Sequence, residues 1–356
     1  MGEWSIGHVT LNVGQGVTVN GPFLSGTLVP EWSFLGIELL VYVFACLCLR
    51  DARRLGRAYI ATFFAIVLFT LIVESLLSAN TKVYEYPARA FLIQVINVPL
   101  WVPVGWAFIL YAVMSTTSLL GVPIYVAALL DAFLALNLDL TLDPVAIHRG
   151  WWTWHAMENY PYASDYFGIP VINFMGWFVI VAAFSFFVRV GRTRIPPGSR
   201  GFAGDVAPSF VAVVPALLTV MAYQVVGMYM MEQPGAQWNG ALWSTVVLLV
   251  CAAIATRRIR TFRRDATFRK LFVSVPVAFH GYFFVLLFVT RAKPIPPAVG
   301  GEWLFVTVSE LAIFFPVVAA LGLCLYFWPY LDDLEVAGPP LPVDVHPAGE
   351  VRESRV

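Results

Sequence analysis

Charged residues are scarce in this chain. Asp, Glu, Lys and Arg make up 12% of its 356 residues, whereas a soluble domain contains about 25%. Hydrophobic residues account for 59%, so polar side chains are too few to cover a water-facing surface, and lipid is the expected solvent. The 22 basic and 22 acidic residues cancel, which gives no basis for a nucleic-acid partner.

Cysteine is also rare, and the N-terminal region lacks basic residues. The four cysteines are Cys46, Cys48, Cys251 and Cys324. All lie inside apolar runs and none has metal-ligand spacing to a histidine, so we interpret them as small buried hydrophobic residues. Because residues 1–29 contain no Lys or Arg, we expect no ordinary signal peptide there.

Long apolar runs dominate the rest of the chain. A helix needs about 20 apolar residues to cross the hydrocarbon core. Such runs lie at 30–49, 58–78, 91–113, 119–140, 170–188, 208–230, 240–256, 271–290 and 303–328. They predict an all-α, polytopic transmembrane bundle of about nine spans. The third run contains Pro99 and Pro103, which predicts a kinked helix.

The basic residues predict the orientation of this bundle. With the N-terminus outside, 17 Lys and Arg residues fall in cytoplasmic segments and five in outer segments. The positive-inside rule therefore predicts an N-out, C-in, multi-pass protein of the inner (plasma) membrane. We expect an external N-terminal segment (1–29), a transmembrane helical domain (30–330) and a disordered cytoplasmic tail (331–356).

Six ionisable residues fall inside the predicted spans, where each is costly and therefore often functional. They are Glu38, Glu74, Asp131, Asp139, His280 and Glu310. The predicted spans contain no Lys or Arg to pair with the acids, so burial is expected to hold them neutral. All but Asp131 and His280 lie in the outer half, which indicates a polar cavity open to the outer side. The alternative is that each acid only hydrogen-bonds a neighbouring helix.

The segment 137–177 combines acids and aromatic residues. Asp139 and Asp143 are four residues apart and share a helix face, and Pro144 predicts that the helix ends near Asp143. Trp151, Trp152 and Trp154 follow within a dozen residues, with Tyr160, Tyr162 and Tyr166 behind them. These aromatic residues are typical of an interfacial belt, but beside two carboxylates they also suit a carbocation site.

The motifs between roughly residues 70 and 180 resemble those of the carotenoid-biosynthesis membrane proteins that include the carotenoid 1,2-hydratases and the bisanhydrobacterioruberin hydratases. The matching positions are Glu74; Tyr84 and Tyr86 in VYEYP; Pro99, Trp106 and Tyr111; Asp139, Leu142, Asp143 and Pro144 in DLTLDP; Gly150, Trp152 and Trp154 in GWWTW; and Tyr166, Gly168, Pro170, Asn173, Gly176 and Trp177 in YFGIPVINFMGW. The second half of the chain matches in hydropathy alone.

This resemblance implies that water is added to the terminal double bond of an acyclic carotenoid, giving a tertiary alcohol. An acid protonates the alkene and a base deprotonates the water, so neither a redox cofactor nor a metal is expected. Asp139 or Asp143 would be the acid, and the other, or Glu74, the base. The residues that would stabilise the cation and bind the substrate are Tyr84, Tyr86, Trp106, Trp152, Trp154 and Trp177. Asn173 would position the water.

Three other functions remain open at this point. The same acid could begin an isomerisation or a cyclisation of a carotenoid or another isoprenoid. The two acids in DLTLDP resemble the magnesium-diphosphate motif of membrane prenyltransferases, although a second such motif is absent from the sequence. Intramembrane acids are also typical of proton-coupled transporters. Expected partners are a lipid-soluble carotenoid, the membrane and neighbouring enzymes of the pathway.

Overall fold

A computed structural model describes the residues on which the following account is based. They are 3–6, 9–12, 16–20, 25–28, 32–79, 83–86, 93–120, 122–149, 151–155, 165–235, 245–247, 249–254, 270–289 and 308–331.

Helices make up most of the described chain. They are α1 Trp32–Leu55, α2 Arg57–Ala79, α3 Trp101–Ser118, α4 Ile124–His148, α5 Val171–Arg194, α6 Gly201–Met231, α7 Lys270–Val289 and α8 Val308–Leu331, and residues 245–247 and 249–254 are also helical. Four of the described segments are long and apolar enough to cross a membrane: Arg57–Ala79, Ile124–Ile147, Val171–Arg194 and Gly201–Met230. The prediction of a mostly helical membrane protein is confirmed to this extent.

Short strands accompany the helices, so the predicted all-α class was incomplete. Four antiparallel strands form a meander within the N-terminal segment: β1 Glu3–Ile6, β2 Val9–Asn12, β3 Gly16–Asn20 and β4 Ser25–Leu28. The remaining strands have two residues each: β5 Tyr84–Glu85, β6 Gln94–Val95, β7 Val98–Pro99, β8 Thr153–Trp154, β9 Asp165–Tyr166 and β10 Ile169–Pro170. The part of the predicted disordered tail that follows Leu331 lies outside the described residues.

Helix α4 lies at the centre of the bundle, where it contacts α3, α5, α7 and α8. The outward side of α6 is apolar instead of polar. Val211, Val214, Leu218 and Val225 on that helix are 60–71% exposed. Such a surface would be unstable in water but matches a lipid environment, in agreement with the low charge content.

The third predicted span was wrong over its first part. Residues 94–99 form the β6–β7 hairpin, and α3 begins at Trp101. Pro99 ends a strand there, while Pro103 lies in the first helical turn, where a missing N–H costs nothing because that group has no helical acceptor. The two prolines therefore mark a hairpin followed by a helix start, and no kink within a continuous helix.

The helix end predicted at Asp143 was also wrong. Helix α4 continues through Pro144 to His148. Proline removes one helical hydrogen bond, but Pro144 and its neighbours Val145 and Ala146 are buried, so packing against surrounding helices keeps the last turn in place. As a result, Asp139 and Asp143 both lie inside one helix, a turn apart.

Asp131 has a cationic partner that the sequence analysis excluded. Helix α5 continues past the predicted end at 188 to Arg194, and Arg189 Nη2 lies 3.0 Å from Asp131 Oδ2. Thr117 and Ser185 also donate hydrogen bonds to the Asp131 carboxylate. The ion pair and these hydrogen bonds together join α3, α4 and α5, and they give Asp131 a structural role.

Removing Asp131 should therefore destabilise the bundle. Asp131→Ala leaves the Arg189 charge without its carboxylate and should lower the free energy of unfolding by about 3–5 kcal/mol. Asp131→Ala combined with Arg189→Leu removes both charges and should recover most of this loss. Thermal unfolding in detergent would measure both variants. Equal destabilisation by the single and the double variant would contradict the structural role of the pair.

Candidate active site

Glu74 is the centre of a hydrogen-bonded cluster near the C-terminal end of α2. Its Oε2 accepts hydrogen bonds from the Tyr84 hydroxyl at 2.5 Å and the Tyr86 hydroxyl at 2.8 Å. Its Oε1 accepts one from Trp106 Nε1 at 2.8 Å. The side chain is 7% exposed. Three donors directed at one buried carboxyl group satisfy both of its oxygens and offset part of the cost of burying it.

Local backbone pairing positions the two tyrosines. Strand β5 pairs with β8, so that Tyr84 lies opposite Trp154 in the register, and the His155 amide donates to the Val83 carbonyl. Alternation along the strand puts Tyr84 and Tyr86 on one side and Glu85 on the other. Glu85 is accordingly exposed, and its carboxylate lies 3.4 Å from the His155 ring.

Burial keeps both phenols protonated. It raises the pKa of Tyr84 and of Tyr86 well above the ordinary phenol value, and the neighbouring Glu74 carboxylate raises the pKa of each further. Both groups therefore remain hydrogen-bond donors at any physiological pH. Tyr166 behaves in the same way, since burial and then the nearby Asp139 raise its pKa to about 12.

A second acidic group comes from α4. The Asn173 side-chain amide, at the start of α5, donates to Asp143 Oδ2 at 2.5 Å and to Asp139 Oδ2 at 3.2 Å. Asp139 is fully buried and Asp143 is 2% exposed. Asp139 Oδ1 has no hydrogen-bond partner among the described residues. Two buried carboxyl groups thus share one amide donor.

A cavity lies between the two acidic groups. It encloses about 940 Å³ of empty space, including its opening, and Glu74 and Asp143 are the acids in its lining. Among the described residues, no Lys or Arg lines it. Tyr84, Tyr86, Trp106, Trp152, Trp154, Asn173 and Trp177 line it as well. Asp139 lies behind Asp143 and outside the lining. The structure therefore brings together all ten residues that the sequence analysis selected.

Aromatic rings form much of the cavity wall. The ring centroids of Tyr84 and Trp154 are 5.0 Å apart, and those of Trp106 and Trp177 are 3.9 Å apart. Trp152 is 8% exposed and its ring lies against Tyr86 at 6.1 Å. Because these rings are buried around the cavity, the interpretation of the tryptophans as an interfacial belt does not hold for Trp152.

Three aromatic or polar residues of the lining were not predicted from the sequence: Trp101, Gln224 and Phe279. Gln224 extends from α6, and its amide lies close to Gly176. A search for neutral polar residues inside apolar runs would have found Gln224. Trp101 and Phe279 carry no such signal, because aromatic residues are common throughout the chain.

The other intramembrane ionisable residues lie elsewhere. His280 contacts Thr141 Oγ1 and Asn137 Oδ1, each at 3.0 Å, so it forms a cross-helix hydrogen-bond pair. Glu38 is buried near Tyr42 and does not line the cavity. The side chain of Glu310 lies outside the described residues. Of the four acids expected to share a cavity, Glu74 lines it, whereas Glu38 and Asp139 do not, so the expectation was wrong for Glu38 and Asp139.

The described part of the chain contains no group of three or more His, Cys, Asp or Glu side chains arranged to hold a metal ion. The chemistry that the arrangement itself offers is proton transfer beside an aromatic surface. Carboxyl groups supply and accept protons, and aromatic ring faces stabilise positive charge.

Comparison with known proteins identifies the family. A protein-family model described as "Carotenoid biosynthesis protein" matches residues 34–230, which is more than half of the chain. Searches of curated proteins and of solved structures each found no match. The matched segment contains both acidic groups and every residue of the cavity lining except Phe279. The resemblance seen in the motifs is thereby confirmed, and the chain belongs to the carotenoid biosynthesis protein family.

Proposed function

We propose that this membrane protein of carotenoid biosynthesis is a hydro-lyase that adds water to the terminal double bond of an acyclic carotenoid end. The observation that carries the proposal is the combination of two acidic groups and an aromatic wall around one cavity. Hydration of a trisubstituted alkene requires a proton donor, stabilisation of a tertiary cation and a base that accepts a proton from the added water. The cavity lining contains a group suited to each of these tasks.

Asp143 is the proposed proton donor because it lines the cavity, whereas Asp139 does not. Two carboxyl groups that share one amide and have no cation beside them are more stable with a proton between them than as two anions. Asp143 would transfer this proton to the less substituted carbon of the alkene. The positive charge would then develop on the tertiary carbon.

The cation would be stabilised by Glu74 and by the faces of Trp152 and Trp154. Glu74 already accepts three hydrogen bonds, so it suits a fixed negative charge better than a base. Water would add to the tertiary carbon and form the C–O bond. Asp143, now a carboxylate, would take the released proton and return to its initial state, so that the turnover neither consumes nor releases protons.

Asn173 would orient the reacting groups. Its amide donates to both aspartates, and this fixes the side-chain rotamers on α4 relative to the cavity. The apolar remainder of the lining, with Val41, Leu77 and Ile109, suits the hydrocarbon end of a polyene. A substrate of this kind stays dissolved in lipid, which fits an active site within a membrane protein. Because the substrate stays dissolved in lipid, we also propose other membrane enzymes of the pathway as partners.

Expression in cells that accumulate lycopene would test this function, with pigments examined by chromatography and mass spectrometry. The wild-type chain should yield products that gain one water per modified end. Asp143→Asn should abolish product and Asp139→Asn should reduce it at least tenfold, because loss of a general acid typically costs about 10²–10⁴ in rate. Glu74→Gln should reduce product, while the matched control Glu85→Gln, on the exposed side of β5, should not.

Four results would contradict the proposal. Full activity of both aspartate variants in the membrane fraction would exclude Asp143 and Asp139 as the acid. A new pigment of unchanged mass would instead indicate the alternative, a proton-initiated isomerisation or cyclisation, which would use the same acid without admitting water. Dependence on magnesium would favour a prenyltransferase, and proton flux in proteoliposomes would favour a transporter.

We further propose the finer topology of about nine spans in the inner (plasma) membrane, with the N-terminus outside and the cavity near the outer face. The unequal distribution of Lys and Arg supports it. Reporter fusions after Leu55 and Ala79 would test it. A cytoplasmic reporter should be active after Leu55 and inactive after Ala79, and the opposite pattern would contradict the orientation.

A further inference from the structure

A second cavity lies at the opposite end of the bundle. It is bounded mainly by the start of α2, the end of α3 and the end of α5, and it encloses about 1240 Å³ of empty space, including its opening. Arg189 and Arg192 line it, and no Asp or Glu among the described residues does so. The two cavities therefore differ in charge, because acids line the first and arginines line the second.

Each nitrogen of the Arg189 guanidinium already donates a hydrogen bond within the protein. Its guanidinium donates to Ser185, Ser118, Met114 O and Thr117, and it pairs with Asp131. Its positive charge is therefore neutralised within the protein.

Arg192 differs from Arg189 in both respects. Its Nη2 donates to Ala58 O and Thr62 Oγ1, and its guanidinium lies over the Tyr59 ring at 4.9 Å. Its Nε is buried and has no partner among the described residues. No carboxylate lies within ion-pair distance of Arg192 in the described part of the chain. The Asp205 carboxylate acts on this guanidinium from beyond contact distance. A largely buried guanidinium with no carboxylate in contact is costly unless an anion accompanies it.

The rest of the lining suits an amphiphilic molecule. Hydroxyl groups come from Tyr59, Thr62, Ser115, Ser118 and Thr193, and aliphatic side chains come from Leu55, Leu119, Val122, Ile124 and Val188. The Ser115 hydroxyl forms no hydrogen bond with a described residue. Hydroxyl groups can donate to phosphate oxygens, while the aliphatic groups can pack against a hydrocarbon chain.

We propose that this cavity binds a phosphate group carried by an amphiphile, with Arg192 as the cation that holds it. A cationic side chain forms charge-assisted hydrogen bonds with phosphate oxygens. The cavity lies at the end of the bundle that also carries Arg53, Arg54 and Arg200, and basic ends of membrane proteins face anionic headgroups. A membrane phospholipid therefore has both the charge and the hydrocarbon chain that the lining requires, and a soluble phosphate has only the charge.

The test uses the purified full-length protein in detergent, with phosphatidylglycerol, phosphatidylcholine or inorganic phosphate added separately. Native mass spectrometry would count the bound molecules. Phosphatidylglycerol should bind the wild-type chain in preference to phosphatidylcholine. Arg192→Gln should weaken this binding about tenfold or more, since it removes a charge-assisted contact. Arg192→Lys should retain most of it. The matched control Arg194→Gln, an exposed arginine on the same helix turn, should bind like the wild type.

A second variant separates binding from folding. Ser115→Leu fills the cavity without touching Arg192 and should also abolish the preference for phosphatidylglycerol. Inorganic phosphate that protects against thermal unfolding in the wild type, but not in Arg192→Gln, would support the anion site and identify a soluble ligand. Equal binding of both lipids to the wild type, together with no effect of phosphate, would overturn the proposal, as would unchanged lipid preference in both Arg192→Gln and Ser115→Leu.

Discussion

A carboxylate in an apolar helix is stable only if the protein supplies what water would have supplied. Glu74 meets this condition through Tyr84, Tyr86 and Trp106, which donate three hydrogen bonds to its carboxyl oxygens. The arrangement of the site follows from this requirement. Strand β5 must pair with β8 to hold the tyrosines, and α3 must begin close to β7 to bring Trp106 within reach. Moving any of these elements would leave a buried charge or a buried donor unpaired.

Polar groups of opposite kind are separated along the bundle. Helix α4 carries Asp131 near one end and the Asp139–Asp143 pair near the other. Asp131 is neutralised by Arg189, whereas the pair shares the Asn173 amide and has no Lys or Arg within ion-pair distance among the described residues. The same residue type is therefore structural where a cation accompanies it, and where none does we propose that it transfers a proton. The cavity beside Arg192 extends this separation, since it presents cationic charge where the first cavity presents acids.

Much of the candidate site could be predicted from the sequence, because a carboxylate in an apolar run marks a contact that must exist. Glu74 and Asp139 were identified in this way, and the spacing of Asp143 placed it on the same helix face. Helix boundaries could not be predicted equally well. Whether Pro144 ends α4 depends on the packing around it, and the end of α5 determines whether Arg189 can reach Asp131. Gln224 was missed because a neutral amide in an apolar helix gives a weaker signal than a charge.

The central claim, that Asp143 protonates the alkene and water then captures the cation, is tested most directly by isotope labelling of the purified protein. Lycopene would be supplied in ¹⁸O-labelled water and, separately, in deuterium oxide. The account predicts a product with one ¹⁸O and one carbon-bound deuterium at each modified end. A product that carries deuterium but no ¹⁸O would show that a proton is delivered and water excluded, which would contradict hydration.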